Sequence, residues 1–395
     1  MEEWKETTLE NYIKVTNGYA FKSDNFLESE IVDALPVIKI KNVANGDVNI
    51  NNVQYHLYNE SLARYLVTQG DILMALTGNH PDAMSQVVGS ASKYKLKKKS
   101  VINQRVAKID TEDSLNKEFL YYFLRDKDTQ DYLANQSSGS ANQANISKSD
   151  IENIPILLPS LPEQKAIADV LSSLDNKIDL LNRQNNILKK KAKTLFRQWF
   201  IEEVKEDWEE KPLSSIATFL NGLACQKYPP KNLQERLPVL KIKELNSGFT
   251  ENSDWATQDI PSEYIVERGD VIFAWSASLM VKIWNGSKCV LNQHLFKVTS
   301  ADYPKWFYYL WSKYHLDEFI AIAASHATTM GHIKRKDLDN AMVTIPTNEE
   351  MNTMDLFFSP LFEKLITNNK QIQTLTSLRD TLLPKLMSGE AQVRI

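Results

Sequence analysis

The sequence predicts a mixed α/β (α+β) protein written twice, with two pseudo-repeated globular domains separated by two long helices that pair as an antiparallel coiled coil. Three observations predict it. Segments of the first 200 residues recur in order in the second, each half carries a helix-start signal at the equivalent place, and each start leads into the same ten-position apolar seam. A period near 190 residues marks a duplicated domain, whereas solenoid repeats run to roughly 20–50 residues.

Trp4 with Asn17-Gly18-Tyr19-Ala20 returns as Trp208 with Asn221-Gly222-Leu223-Ala224, and Leu35-Pro36-Val37-Ile38-Lys39-Ile40-Lys41 as Leu237-Pro238-Val239-Leu240-Lys241-Ile242-Lys243. Gly70-Asp71-Ile72-Leu73 is echoed by Gly269-Asp270-Val271-Ile272, and Val101-Ile102-Asn103-Gln104-Arg105 by Val290-Leu291-Asn292-Gln293-His294. From Tyr121-Tyr122, matched by Tyr308-Tyr309, the offset settles at 187. Earlier drift in the offset places insertions and deletions in surface loops. Short apolar runs punctuated by Gly, Asn and Asp read as strands and turns, followed by an aromatic helical stretch around residues 119–124.

Ser160-Leu161-Pro162-Glu163 has the form of a capping box, in which a hydroxyl accepts from the backbone three residues on and a carboxylate reaches back. Thr347-Asn348-Glu349-Glu350 repeats the pattern 187 residues later. After the first box, seam positions fall at Ile167, Leu171, Leu174, Ile178, Leu181, Asn185, Leu188, Ala192, Leu195 and Trp199. After the second they fall at Met354, Phe358, Leu361, Leu365, Asn368, Ile372, Leu375, Arg379, Leu382 and Leu386. Alternating steps of three and four make a coiled-coil seam roughly 50 Å long at 1.5 Å per residue. Pro384 is expected to kink or end the second helix near Leu383. The boundaries are then 1–158 and 204–345 for the globular domains, and 159–203 and 346–395 for the helical spacers.

The direction of pairing follows from the polar seam positions. Asn185 is sixth in its helix and Asn368 fifth, so an antiparallel pair with aligned ends brings the two amides into one layer. A parallel pair sets each against Ile372 or Leu181, and a buried amide without a partner costs about 1–3 kcal/mol. The residues expected to hold the pair include Leu174, Leu181, Asn185, Leu188, Leu361, Asn368 and Leu375.

Composition removes several classes of function. With 43% hydrophobic and 24% charged residues in 395, the chain is neither disordered nor a membrane protein, and no run approaches the roughly 18 apolar residues of a spanning helix. The acidic start Met1-Glu2-Glu3-Trp4-Lys5-Glu6 is not a secretory signal, so a cytoplasmic protein is expected. Cys225 and Cys289 are too few for a disulfide framework and read as inert thiols. A net charge of −4 confines any nucleic-acid footprint to local patches.

No catalytic set is found. The Walker pattern is missing, Tyr228-Pro229-Pro230-Lys231 is wrong at both ends for an amino-methyltransferase motif, and no carboxylate follows Pro81-Asp82 before position 110. The six histidines offer no ligand spacing better than His326 to His332, so no metal site is expected.

Local basic and polar features remain. Lys93, Lys95, Lys97, Lys98 and Lys99 crowd around Tyr94, and Lys39 and Lys41, with their copies Lys241 and Lys243, alternate with Ile on what reads as one strand face. Such lysines suit phosphate, because lysine is a flexible point charge. The loop at 139–147 and its copy at 327–334 carry amides and hydroxyls of the kind that meet base edges. Candidates for base reading are Gln104, Arg105, Asn142 and Gln143 in the first half, and Gln293, His294 and Thr328 in the second.

Leu158-Pro159-Ser160-Leu161-Pro162-Glu163-Gln164-Lys165-Ala166-Ile167, the helix ending Leu195-Phe196-Arg197-Gln198-Trp199-Phe200, the terminal Leu386-Met387-Ser388-Gly389-Glu390 and the two Gly-Asp-aliphatic strings resemble the specificity subunit of type I restriction-modification enzymes over essentially the whole chain. The resemblance implies a non-catalytic subunit with two target-recognition domains, each reading one half of a bipartite, asymmetric double-stranded DNA site. It also implies helices that set the gap and dock two methyltransferase subunits, with restriction subunits in the full complex. Adenine methylation and ATP-dependent cleavage, with S-adenosylmethionine, ATP and Mg, then belong to those partners, and this chain needs no cofactor. Asn348-Glu349-Glu350-Met351 departs from the Pro-x-Glu-Gln form, which leaves open whether the second helical region docks partners as the first does. Two other readings are a duplicated coiled-coil scaffold, or an orphan antitoxin-like adaptor, without sequence-specific DNA reading. A hydrolase built on His294 or His326 ranks third.

Overall fold

The computed structural model describes residues 4–44, 46–79, 88–140, 143–325 and 331–394. The chain divides into two compact units, Met1–Lys177 with Leu375–Ile395, and Ile178–Thr374. Each long helix therefore contributes to both.

The first unit holds a six-stranded sheet in the order Ile13–Asn17, Val106–Thr111, Ile72–Ala75, Ala91–Lys93, Gly46–Val48, Val43–Ala44, beside a four-stranded sheet of Gln54–Leu57, Ala34–Ile38, Ser100–Ile102 and Leu66–Val67. The second unit repeats the plan with Thr218–Asn221, Leu295–Thr299, Val271–Ala274 and Met280–Ile283 in one sheet, and Trp255–Thr257, Arg236–Leu240, Cys289–Leu291 and Ile265–Val266 in the other. Two of the repeated strings are partners in space. Val37 lies opposite Val101 and Ile38 opposite Ile102 in a parallel pair, as Val239 lies opposite Val290 and Leu240 opposite Leu291.

The repeated glycines have equally local causes. A Cβ on Gly18 would stand 2.2 Å from the Asn103 carbonyl oxygen, and one on Gly222 2.3 Å from that of Asn292, so only glycine lets these segments cross. Gly70 and Gly269 turn at φ of +96° and +94°, where other residues are strained. The next residue closes each turn: Asp71 Oδ2 accepts from the Thr68 amide at 2.8 Å, and Asp270 Oδ2 from the Glu267 amide at 2.8 Å. The Gly-Asp strings thus specify tight entries into central strands.

The first long helix runs Leu161–Arg197 and passes into a π-helical turn, Gln198–Glu202, while the second runs Asn348–Met387. The second contains Pro360 and Pro384 and does not end near Leu383. Each proline removes one backbone donor, yet the Ser388 amide still bonds the Pro384 carbonyl at 3.0 Å, so the last turn closes around the ring. Packing of Leu386 and Met387 into the core of the first unit holds that turn.

The two starts are built differently. Thr347 Oγ1 and its amide both bond Glu350 Oε2, at 2.9 and 3.1 Å, and the Glu350 amide returns to Thr347 Oγ1 at 3.3 Å, a complete box. Trp208 Nε1 donates to the same carboxylate at 2.8 Å, and Lys205 pairs with it. Among the described residues, no side-chain bond closes the Ser160/Glu163 box. Buried Gln164 ties that end instead, accepting from the Asn116 amide at 2.7 Å and donating to the Pro159 carbonyl at 2.9 Å. The reach of an amide into the globular part replaces the local cap.

In the second unit Asn368 Nδ2 donates to Asn185 Oδ1 at 3.0 Å, and Asn185 Nδ2 to Asn369 Oδ1 at 2.8 Å. Farther along, Trp199 packs edge-on against Phe357 and Phe358 at 5.6 Å. Numbers rise on one helix as they fall on the other, so the segments are antiparallel. Leu181 and Leu361 are buried around this layer and Leu188 half-buried. In the first unit Leu174 and Leu375 are half-buried, and Asp175 is the hub of a second polar layer. It accepts from Arg379 at 2.8 Å, Tyr122 at 2.9 Å and Arg125 at 3.4 Å. Burial and the adjacent Asp175 charge hold the Tyr122 phenol far above its usual range, so it remains a donor.

Asn368 Oδ1 is buried without a partner, so the amide layer fixes register at a cost in stability. Asn368→Leu alone should destabilise by about 1–3 kcal/mol by orphaning Asn185 Oδ1, whereas Asn185→Leu with Asn368→Leu should match or exceed the wild type. Denaturant unfolding of the four members of the cycle measures this. A double variant weaker than both singles would show that the amides stabilise rather than specify.

A second outcome concerns Glu350. Its bond to Lys205, with help from Thr347 and Trp208, holds the carboxyl at about 2 against 4.5 in the unfolded chain. A folded pKa below the unfolded one stabilises fully above the unfolded value and progressively less as pH falls toward the folded value. The gap in unfolding midpoint between wild type and Glu350→Gln should be open at pH 7 and narrow steadily between pH 4.5 and pH 3. A constant gap would assign the loss to packing.

Candidate nucleic-acid interface

The lysines sort by their partners. Lys39 and Lys41 are not on a strand: the strand ends at Ile38, and Lys39 opens a 3₁₀ turn, Ile40–Asn42, into which the Asn42 side chain folds back on the Lys39 amide at 3.0 Å. That side-chain bond competes with the sheet, which periodicity alone does not reveal. Lys39 Nζ bonds Gln54 Oε1 at 2.6 Å and lies 4.1 Å from the Phe26 ring centre, while Lys41 bonds the Asn52 carbonyl at 2.8 Å. Burial, then the Lys41 charge, push the Lys39 pKa down. Lys241 precedes the helix Ile242–Ser247 and pairs with Asp254, and Lys243 is exposed on that helix. Neither pair of lysines lies along a strand face.

The basic run is largely compensated. Lys93 ends the strand Ala91–Lys93 and pairs with Glu118, Lys95 pairs with Asp47 at 3.0 Å, and Lys98 with Glu30 at 2.5 Å. Lys97 and Lys99 are exposed, and among the described residues neither has an acidic partner. A further basic cluster was hidden by the seam: Lys189 and Lys193 lie on the first long helix, and Lys282 and Lys313 on other elements of the second unit. Desolvation, then the like charges of Lys189, Lys282 and Lys193, hold Lys313 below the usual lysine range. The signal was present in the string 189–193, which reads as helix periphery until the fold adds the other two.

Of the base-reading candidates, Asn142 and Thr328 lie outside the described residues, as do His80, Pro81-Asp82 and His326. Gln143 lies on the strand Gln143–Asn145, which pairs with Thr77–Gly78 and with Ser138–Ser140, so part of what read as a loop is strand. Gln104 and Arg105 are exposed at the mouth of a cleft of about 340 Å³, lined also by Leu76, Thr77, Asn145 and Ile146. Arg105 donates to Thr77 Oγ1 at 3.2 Å, and Thr77 Oγ1 to Asn145 Oδ1 at 2.7 Å. In the second unit His294 Nδ1 lies 3.2 Å from Ser276 Oγ and 3.4 Å separates its Nε2 from Gln293 Nε2. Trp275 lies 5.9 Å from the His294 ring and 6.2 Å from the His332 ring, and its Nε1 donates to Asn221 Oδ1 at 3.0 Å.

No group of three or more His, Cys, Asp or Glu side chains is placed to hold a metal ion among the described residues. Cys225 and Cys289 are buried free thiols, and burial raises the pKa of both. No described helix is long and apolar enough to cross a membrane.

What the fold and its candidate residues define is an internally duplicated two-unit scaffold with unlike polar side chains at equivalent positions. The family model for the type I restriction modification DNA specificity domain matches residues 1–190 and 205–377. The chain is 30% identical over 318 residues to the type I restriction enzyme MjaIX specificity subunit of Methanocaldococcus jannaschii, covering 74% of this chain and 73% of that one. It is 22% identical to the EcoBI specificity subunit of Escherichia coli, covering 98% and 86%. A crystal structure of the type I restriction-modification S subunit from M. genitalium shares the fold with a TM-score of 0.62 at 17% identity, covering 97% of this chain and 96% of that one. The chain belongs to the type I restriction-modification specificity-subunit family.

Neutralising a lysine that contacts phosphate removes about 0.9 from the slope of log affinity against log salt. Lys97→Ala with Lys99→Ala should therefore lower the slope for DNA by about two and weaken binding to all sequences alike, while Lys95→Ala changes it less. Titrations at four salt concentrations measure the slopes. Equal slopes in wild type and double variant would place residues 93–99 outside the interface.

Proposed function

We propose that this chain is the DNA-reading, non-catalytic subunit of a cytoplasmic type I restriction-modification complex. Each unit reads one half of a bipartite, asymmetric double-stranded site, and the long helices set the gap and dock two methyltransferase subunits, with restriction subunits joining in the full complex. Adenine-N6 methylation and ATP-dependent cleavage, with S-adenosylmethionine, ATP and Mg, belong to those partners.

One observation carries the reading: two matched scaffolds hold different polar side chains at the same place. Gly18 and Gly222, Asp71 and Asp270, and the paired valines are held constant by sterics, whereas Arg105 stands where His294 stands in the copy. A duplicated scaffold that binds only proteins gains nothing from unlike side chains there, whereas an asymmetric DNA site requires them. Apolar side chains exposed along the helices support docking of other subunits there: Leu180 and Ile187 on the first, Leu356, Phe357 and Leu378 on the second. Leu356 is 75% exposed, which no core contact in the chain explains.

Replacing residues 1–158 by those of a relative should change one half of the methylated motif and leave the other half and the gap intact. Methylation-detecting sequencing of a host carrying the chimera reads the motif. A motif altered in both halves, or unaltered, would overturn the modular reading, and a purified chain whose binding shows no salt dependence would favour a protein scaffold.

A further inference from the structure

The cleft of the first unit and the corresponding place in the second are equivalent down to their backbone hydrogen bonds. The Leu76 amide bonds the Arg105 carbonyl at 2.9 Å and the Trp275 amide the His294 carbonyl at 3.4 Å. The Ile146 amide bonds the Leu76 carbonyl at 3.0 Å and the Ile333 amide the Trp275 carbonyl at 3.1 Å. Asn145 lies opposite Thr77 in the register of one unit, and His332 opposite Ser276 in the other. Position by position, Thr77 corresponds to Ser276, Arg105 to His294 and Asn145 to His332, while Gln104 and Gln293 are the same residue.

The constant members do a constant task. Thr77 and Ser276 are buried and present one hydroxyl to the neighbouring side chain: Thr77 Oγ1 accepts from Arg105, and Ser276 Oγ lies within hydrogen-bond reach of His294 Nδ1. That bond holds the reader by one edge and leaves the rest of it facing outward. Arg105 spends one donor on Thr77, is exposed, and has no carboxylate partner among the described residues. A guanidinium fork with its outer donors open, at the mouth of a concave polar cleft, matches the paired O6 and N7 acceptors that only guanine presents in the major groove. Salt-bridged lysines elsewhere in the first unit lack that geometry. In the second unit the same place holds an imidazole against Trp275, which cannot make a bidentate fork. There Ala277, beside Ser276, takes φ +55° and its amide bonds the Gly331 carbonyl at 2.8 Å.

We infer that the hydroxyl-anchored position, Arg105 on Thr77 in one unit and His294 on Ser276 in the other, is the specificity-determining position of each half, and that Arg105 reads a guanine. This rests on the DNA-reading function proposed above. Thr77 and Ser276 are positioning residues, with Asn145 and His332 opposite them.

The test uses the full chain and its own site, selected from a pool of random duplexes, with each guanine in turn replaced by 7-deazaguanine, which removes only the N7 acceptor. Wild type should lose roughly 5- to 150-fold in affinity at one guanine of one half-site. Arg105→Ala should bind the normal site that much more weakly, show no further loss at that one guanine, and keep full sensitivity at every other. Thr77→Val should reproduce part of the effect at the same base pair, and His294→Ala should relax one position of the other half only. A wild-type chain that selects no site overturns the DNA-reading function itself. Selection of a site with no guanine in the affected half overturns this inference alone. So does an Arg105→Ala variant that binds all duplexes equally weakly with a salt slope reduced by about one, the mark of a phosphate contact.

Discussion

The structure depends on a shared seam. Neither unit closes its core with its own helix alone: Ile167 and Leu171 pack with Leu386 and Met387 in the first, and Ala192, Phe196 and Phe200 with Met354, Phe358 and Leu361 in the second. Burying a side chain of this size is worth about 1.5–3 kcal/mol, so each group supplies a sizeable share of the few kcal/mol by which a domain is stable. The seam must therefore hold one register. Apolar layers are interchangeable and tolerate slippage. The amides of Asn185 and Asn368 and the ions of Asp175 and Arg379 do not, because a shift buries each without its partner.

Within each unit the duplication separates what sterics holds from what chemistry varies. Close backbone crossings and tight turns are repeated almost letter for letter, because a Cβ at Gly18 or Gly222 has nowhere to go. Side chains that line the place of Arg105 and His294 are under no such restraint. Leu76 has become Trp275 and Asn145 has become His332 on the same hydrogen-bonded frame. Electrostatics follows the same division: Lys93, Lys95 and Lys98 are paired with carboxylates within the fold, whereas Lys97 and Lys99 have no acidic partner among the described residues.

Much of this was legible in the sequence for reasons that the structure makes plain. The fold class, the family and the direction of the seam follow from patterns that packing imposes at long range: period, matched polar layers, repeated strings. Local chemistry was harder to read. Lys39 and Lys41 alternate with Ile as a strand would, but the Asn42 side chain turns the chain into a 3₁₀ turn, and tertiary pairing absorbs Lys93, Lys95 and Lys98. Ser160 and Glu163 have the letters of a cap whose work Gln164 does. The partners of Arg105 and His294, Thr77 and Ser276, carried no signal, since a lone buried hydroxyl in a strand is common and only the fold brings it 28 and 18 residues along the chain to the side chain it holds.

The division of the chain has a consequence for the order in which the protein is made. The core of the first unit includes Leu386 and Met387, translated more than 200 residues after Ile167 and Leu171. On the ribosome that unit must wait, with one apolar flank open, while the whole of the second unit is synthesised. At about 5–20 residues per second this delay lasts on the order of ten seconds or more, long beside the folding time of a small domain. The second unit has no such wait, because the helix segment it borrows, Ala192 to Phe200 in its core, precedes the rest of it. The half written first is thus the half completed last, and a chain cut short before Leu375 and released from the ribosome has all of the second unit's segment but an unsealed first unit, the form in which a chaperone or a protease would meet it.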